Sequence, residues 1–386
     1  MRKNKNGSRV WIIIGLVLFS VGATTASFIR KIEFEESVAL EVKPEIFFKV
    51  DSKIRSAILV NDGKLYFGTE NCEFHAIDIN TKQELWMYSA NEPVETWPVF
   101  TDNKVIFNAG NSLYILDATD GTETHKYTYP SESSIRISQD TYTFNDSYVA
   151  ASNGIAYYAA LNGDLVAVDI KSGAMIWSLI SGNPGAVASG VNFSNGKLCY
   201  TDYAGSLCCV DAQTRQVIFR TEIHDRAFAP MYISDGKIYV GGRSCKMYCI
   251  DANDGNVIWS SPSSDDTTWF SGGSVSVGNT LYSCTSDEHT IAAFNKNTGE
   301  LLRLYPTETN AYTPPLLHGD NIVVAATDVY SFNKSNIMEF DTKAHTKLWQ
   351  ATLEDCVLSS PAIYQDVLYF GSDSGTIYCI NLTKKE

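Results

Sequence analysis

A short strand-like run returns eight times along the chain, and a repeat of this kind decides the architecture before any local assignment is made. Its clearest copies are Lys64-Leu-Tyr-Phe-Gly68, Lys237-Ile-Tyr-Val-Gly241 and Val367-Leu-Tyr-Phe-Gly371. Weaker copies are Lys104-Val-Ile-Phe107, Ile155-Ala-Tyr-Tyr158, Lys197-Leu-Cys-Tyr200, Thr280-Leu-Tyr-Ser283 and Asn321-Ile-Val-Val324. A second alternating run follows each and ends at Asp78, Asp117, Asp169, Asp211, Asp251, Asn295, Asp341 or Asn381. Successive separations of these residues are 39, 52, 42, 40, 44, 46 and 40. A period near this value belongs to a propeller or solenoid of β units. No sustained 3.6-residue period follows residue 44, so the expected fold is all-β.

Each unit carries two further marks. Four residues beyond the Asp or Asn stand Gly121, Gly173, Gly255 and Gly299, where a tight reversal needs a positive φ. The Asx side chain there can cap the amides of the turn. Eight residues beyond the Asp or Asn stand Trp86, Trp177, Phe219, Trp259 and Trp349, with His125 and Arg303 in the same slot of two copies. The Asp series is therefore read as turn residues, not as catalytic carboxylates.

The chain ends test whether the units close into a ring. The eighth copy stops at Lys384-Lys-Glu386, before its Trp-bearing strand. The segment Pro44-Glu-Ile-Phe-Phe-Lys-Val50 resembles that missing strand, with Phe47 or Phe48 in the Trp position. A strand from the start of the domain that completes the last unit would close the ring and leave no long exposed sheet edge. Residues 45–386 then form an eight-bladed β-propeller of four-stranded blades, at about 43 residues per blade.

The pattern Ala-x-Asp-x-x-x-Gly-x-x-x-Trp resembles the repeat of pyrroloquinoline-quinone (PQQ) enzymes, the tryptophan-docking motif. Ala167, Asp169, Gly173 and Trp177 match it fully, while Ala76, Asp78 and Trp86 match with Lys82 in the Gly slot. The resemblance covers nearly all of the chain after residue 44 and implies that each bulky residue packs between neighbouring blades. One indole buries roughly 200 Å² at such a seam.

Residues 1–31 read as a signal peptide or an N-terminal membrane anchor, and 32–44 as a linker. Arg2, Lys3, Lys5 and Arg9 precede an uncharged run from Val10 to Ile29, the charged-then-apolar layout of an export signal. Left uncleaved, residues 10–29 are long enough to cross a bilayer, with the body of the protein exported. The expected location is thus the periplasm or cell envelope. Charge follows the same division. The chain carries a net charge of −14, and the six basic residues before Glu33 leave 24 Lys and Arg against 44 Asp and Glu, a balance of −20. Such a domain repels phosphate backbones, which argues against nucleic acid as a partner.

Candidate chemistry is sparse. Cys209, Cys249 and Cys379 occupy the slot held elsewhere by Ala76, Ala167 and Ala293, and are expected as unpaired thiols packing like alanine. The resemblance to PQQ-dependent dehydrogenases implies a different role for the adjacent pair Cys208-Cys209, a vicinal disulfide over the quinone. Neighbouring residues of a strand point to opposite faces, which opposes it. The six histidines fall singly with no metal-binding spacing, so no metal site is expected. No phosphate loop, nucleophile elbow or paired-carboxylate signature occurs, and a non-enzyme without cofactor is expected.

The connections between blades remain. They hold Glu92, Glu95, Trp97, Arg226, Phe228, Asp265, Asp266, Trp269, Glu308 and Tyr312, and should gather on one face around the channel. Aromatics among acids suit recognition of a protein partner. Trp97 and Tyr312 equally suit packing of the channel. Two functions follow. One is a monomeric, exported, non-catalytic scaffold that binds an envelope protein, resembling the outer-membrane assembly factor BamB. The first cysteine is Cys72, so the family's lipid-attachment cysteine after the apolar run is missing. The alternative is a PQQ-dependent dehydrogenase binding PQQ and calcium.

Overall fold

The inner runs of each repeat bury successive residues and so both strand faces, which neighbouring sheets on either side cover, and eight such sheets arise here. A computed structural model of the chain describes residues 39–130, 148–179, 189–202, 204–224, 227, 229–263 and 268–383. The blades span residues 59–89, 99–128, 150–179, 192–222, 232–262, 270–306, 316–353 and 362–381, and are numbered 1 to 8 in that order. Blades 1 to 7 are each built on four consecutive antiparallel strands, here lettered A to D from the first, and the range given for blade 8 holds its strands A to C. The A strands of neighbouring blades approach one another, so they surround the axis and the D strands form the rim.

Closure follows the scheme read from the chain ends. The strand Glu45–Lys49 pairs antiparallel with Thr376–Asn381 and supplies the missing D strand of blade 8. A bulge between Ile46 and Phe48 turns Phe47 inward, where its ring meets Tyr369 edge-on at 5.1 Å. Of the two candidates for the Trp slot, Phe47 fills it. The apolar core is divided into seams. One cluster joins each pair of adjacent blades, including blades 8 and 1 through Phe47, Ile54, Leu65, Phe67 and Tyr369.

The stretch read as linker also contributes a strand. Leu40–Glu41 pairs in parallel with Trp349 and Gln350 on the outer edge of blade 7, giving that sheet five strands. The Val42 amide donates to the Gln350 carbonyl at 2.7 Å. The apolar run 10–29 lies outside the described residues, and no described helix is long and apolar enough to cross a membrane.

The turn chemistry has a second function that the sequence does not announce. Asp78 Oδ1 accepts from the Thr81 amide at 2.7 Å and Asp169 Oδ1 from the Ser172 amide at 2.7 Å, as Asx caps do. Gly121 takes φ +73°, and a Cβ there would lie 2.6 Å from the Trp86 ring of the preceding blade. Gly299 takes φ +72° with Trp259 equally close. The glycine thus both makes the turn and forms the floor on which the neighbour's indole rests. In blade 1, Lys82 takes this position at φ +56° and lays its ammonium over the Phe47 ring at 5.5 Å.

One cysteine expectation is overturned. Cys209 is bonded to Cys199, and is not a free thiol. The two stand directly opposite on strands B and C of blade 4, with Cα atoms 4.2 Å apart. Cys249 and Cys379, in the equivalent slot of blades 5 and 8, face Tyr239 and Tyr369 and are thiols.

Candidate functional site

In an antiparallel blade the B–C hairpin and the exit from strand D share one end of the sheet. Both therefore lie on one face of the ring, together with the connection to the next blade. Backbone bonds fasten these segments to one another. The Val94 amide donates to Thr69 O (3.0 Å), Phe270 to Gly242 O (3.2 Å), Ser286 to Trp269 O (3.0 Å) and Asp373 to Cys356 O (2.8 Å). A repeated hydroxyl adds to this. Ser56 Oγ donates to Gly68 O at 3.1 Å, Thr96 Oγ1 to Asn108 O at 2.6 Å and Thr313 Oγ1 to Ala325 O at 3.5 Å. The loop face is consequently a braced platform.

The sequence-predicted residues divide into groups on it. Glu92, Glu95 and Trp97 lie on the connection from blade 1 to 2, Trp269 on that from 5 to 6, and Glu308 and Tyr312 on that from 6 to 7. Arg226, Phe228, Asp265 and Asp266 lie outside the described residues. Three connections are thus brought to one face, but the side chains are engaged locally. Trp97 forms a bridge with Tyr148, the ring centroids 5.5 Å apart. Trp269 carries the Arg243 guanidinium over its ring at 4.4 Å, a cation–π contact. Tyr312 packs against Val329, Cys356 and Leu358. Glu308 takes φ +67° and binds Lys347 Nζ at 2.9 Å. Glu92 is exposed.

Two features of this face escaped the sequence reading. Arg55 makes a two-pronged ion pair with Asp373, Nε to Oδ1 at 2.9 Å and a terminal nitrogen to Oδ2 at 2.7 Å. These residues are 318 apart in sequence and meet only because the ring closes. The bond to Asp373 raises the guanidinium pKa above its usual value. The other feature is the B–C hairpin of blade 7, where Tyr330 is 72% and Phe332 39% exposed. Asp328 caps this hairpin through Ser331 and the Tyr330 amide, which hold its carboxyl below the usual range. Tyr330 also donates to Asp287 Oδ1 of blade 6 at 3.3 Å. An aromatic in a polar hairpin is the signal that could have marked it.

The carboxylates here serve as ties. Asp355 accepts from Ser374 Oγ at 2.6 Å, Tyr378 OH at 3.2 Å and the Cys356 amide at 2.8 Å. Asp202, fully buried, is bound by Arg220 at 2.6 Å. Among the described residues no group of three or more His, Cys, Asp or Glu is placed to hold a metal. Cys208 is a thiol whose Sγ lies 3.6 Å from Asp202 Oδ2, and burial together with that carboxylate pushes it up to about 12. Its neighbour Cys209 is spent on Cys199, so the pair does not form the vicinal disulfide of the dehydrogenase reading.

Residues 4–188 and 161–385 each match the family model described as outer membrane protein assembly factor BamB. No curated protein matches the chain. Among solved structures, the computationally designed Ika8 protein gives a TM-score of 0.68 at 16% identity, covering 86% of this chain and 97% of that one. BamB from Moraxella catarrhalis gives 0.56 at 14% identity, covering 84% of each chain. The quinohemoprotein alcohol dehydrogenase ADHIIG from Pseudomonas putida HK5 gives 0.55 at 14% identity, covering 70% of this chain and 62% of that one. At these identities the structural likeness concerns the fold alone.

Proposed function

The chain belongs to the family described as the outer membrane protein assembly factor BamB, and on that premise we propose an exported, non-catalytic propeller scaffold that docks a protein partner in the cell envelope. The observation that carries the reading is the loop face, a braced platform of acids with the exposed rings of Tyr330 and Phe332 at blade 7. Rigid aromatic anchors amid charged groups are what protein recognition uses, since they bind at small entropic cost. A balance of −20 beyond residue 32 favours a partner with a basic patch. In this reading the amino-terminal segment directs export, either cleaved or kept as an anchor.

The experiment is chemical crosslinking of the full chain in envelope extracts, followed by affinity measurement with the partner identified at the loop face. Tyr330→Ala combined with Glu92→Lys should weaken binding at least about tenfold with little change in melting temperature, and added salt should weaken it further. Crosslinks confined to the opposite face would sink the proposal. A second reading, a PQQ-dependent dehydrogenase binding PQQ and calcium, is favoured by the fold likeness to ADHIIG. Against it stands the Cys199–Cys209 pairing, which takes Cys209 out of any bond to Cys208. PQQ-dependent dye reduction that disappears on calcium chelation would reverse the ranking.

A further inference from the structure

We propose that Cys199 and Cys209 are an obligatory site of oxidative modification, joined by a disulfide-donating thiol oxidant before blade 4 docks on blade 5 and sealed afterwards. The inference does not depend on the scaffold reading. It rests on register, burial and the composition of one seam.

Register brings the pair together without help from the rest of the ring. Cys199 and Cys209 are direct partners in the hairpin of strands B and C, ten residues apart in the chain. A hairpin forms locally and early relative to long-range docking. The sulfurs are therefore neighbours as soon as blade 4 folds.

Burial then sets the order of events. Cys199 is 2% and Cys209 0% exposed. They lie in the seam cluster with Phe219, Met231, Ile238, Val240 and Ile250, most of which come from blade 5. Thiol–disulfide exchange needs a third sulfur to approach the bond, and the docked seam leaves no path for one. Formation of the bond must precede docking.

The seam explains why a bond is wanted. In blades 1 and 5 the B-strand slot is a tyrosine that, with the docking tryptophan, donates to one carbonyl of the next blade. Tyr66 and Trp86 both reach Ala118 O, at 3.4 and 3.3 Å, and Tyr239 and Trp259 both reach Lys296 O, at 3.4 and 3.1 Å. Blade 4 has Cys199 and Phe219 in these places, and neither can donate to Ala252 O in this way.

The third sulfur is kept out of the exchange. Cys208 stands opposite Tyr200 and Arg220, on the other face of the sheet from Cys209. Its thiol faces the Asp202 carboxylate, which with burial disfavours the thiolate that exchange requires.

One thiolate of the pair attacks the oxidant's disulfide, giving a mixed disulfide and releasing one oxidant thiolate. The second thiolate attacks the mixed disulfide, forming the Cys199–Cys209 bond and releasing the other. Two electrons pass to the oxidant and two protons leave the cysteines.

The test uses the full chain made under oxidising conditions. It is treated with dithiothreitol with or without urea, alkylated, and mapped by mass spectrometry. The expected result is labelling of Cys199 and Cys209 only where reductant and urea are both present. In a second arm, the reduced, denatured chain is refolded with or without oxidised glutathione, and native tryptophan fluorescence is read. Recovery should fall several-fold without the oxidant, while Cys208→Ala should behave as the parent. Alkylation of either cysteine in the native, unreduced protein would overturn the proposal. So would native-state reduction as fast as in urea, or equal refolding with and without oxidant.

Discussion

The seam between blades 5 and 6 and the seam between blades 4 and 5 solve one problem with different chemistry. At the first, Tyr239 and Trp259 bury large rings and direct both donors at Lys296 O. At the second, the rings shrink to Phe219 and a disulfide, and the polar contact passes to Lys197, whose Nζ reaches Ala252 O at 2.6 Å and Asn253 Oδ1 at 3.3 Å. Both keep the same floor, since Gly255 lies beneath Phe219 as Gly299 lies beneath Trp259. The repeat thus prescribes a docking geometry and leaves its chemistry open. Hydrogen bonds, apolar area and covalent crosslinks substitute for one another at a fixed place.

The largest expected loss lies at the tryptophan. Trp259→Ala should cost roughly 3–5 kcal/mol, read as a lowered urea midpoint, with Phe219→Ala near the lower end because the strands beneath it stay crosslinked. Equal stability of Trp259→Ala and the parent would deny that the indole holds the seam. Next comes the crosslink: Cys199→Ala with Cys209→Ala should cost roughly 2–3 kcal/mol, since the bond closes a short loop. If the pair were only filling space, the loss would be no greater than for Cys249→Ala, a thiol in the same slot.

The polar contacts sharpen the contrast further. Tyr239→Phe should cost about 1 kcal/mol and Lys197→Met roughly 1–2, measured by the same midpoints. Acid gives the smallest and most diffuse effect. Asp117 is held at about 2, first by Lys104 and then by the Thr119 amide. Asp78, Asp169 and Asp211 are held below the usual range by their turn hydrogen bonds. A folded pKa below the unfolded one gives stability that is present above it and lost as pH falls through the folded value. The melting temperature should therefore be flat down to about pH 4 and decline toward pH 2. A decline beginning near neutrality would implicate other groups.

Architecture was legible because it repeats. The truncated last copy and the strand-like start foretold the closing pair, down to a phenylalanine in the Trp slot. What the repeat hid was everything that depends on the residue across the sheet. Along its own strand Cys209 stands where alanine stands elsewhere, and its bonding is decided instead by Cys199 directly opposite. Cys199 replaces a tyrosine of the B strand, and that exchange was the visible signal. Glu339 in blade 7 is similar, an acid in the alanine slot that accepts from Trp349 Nε1 at 2.5 Å and Asn321 at 2.8 Å. The loop face was the least legible. Which residues sit there follows from topology, but whether Trp97 faces solvent or Tyr148 is decided by packing between connections distant in sequence.

The strand Leu40–Glu41 also sets how the ring bears load. Tension applied through the amino-terminal segment enters at the rim of blade 7, where a two-residue parallel pairing and the Val42 bond peel first. Past that fuse the pull reaches Glu45–Lys49, the strand that clasps the ring shut. The weak pairing thus acts as a strain relief, yielding before the clasp is loaded.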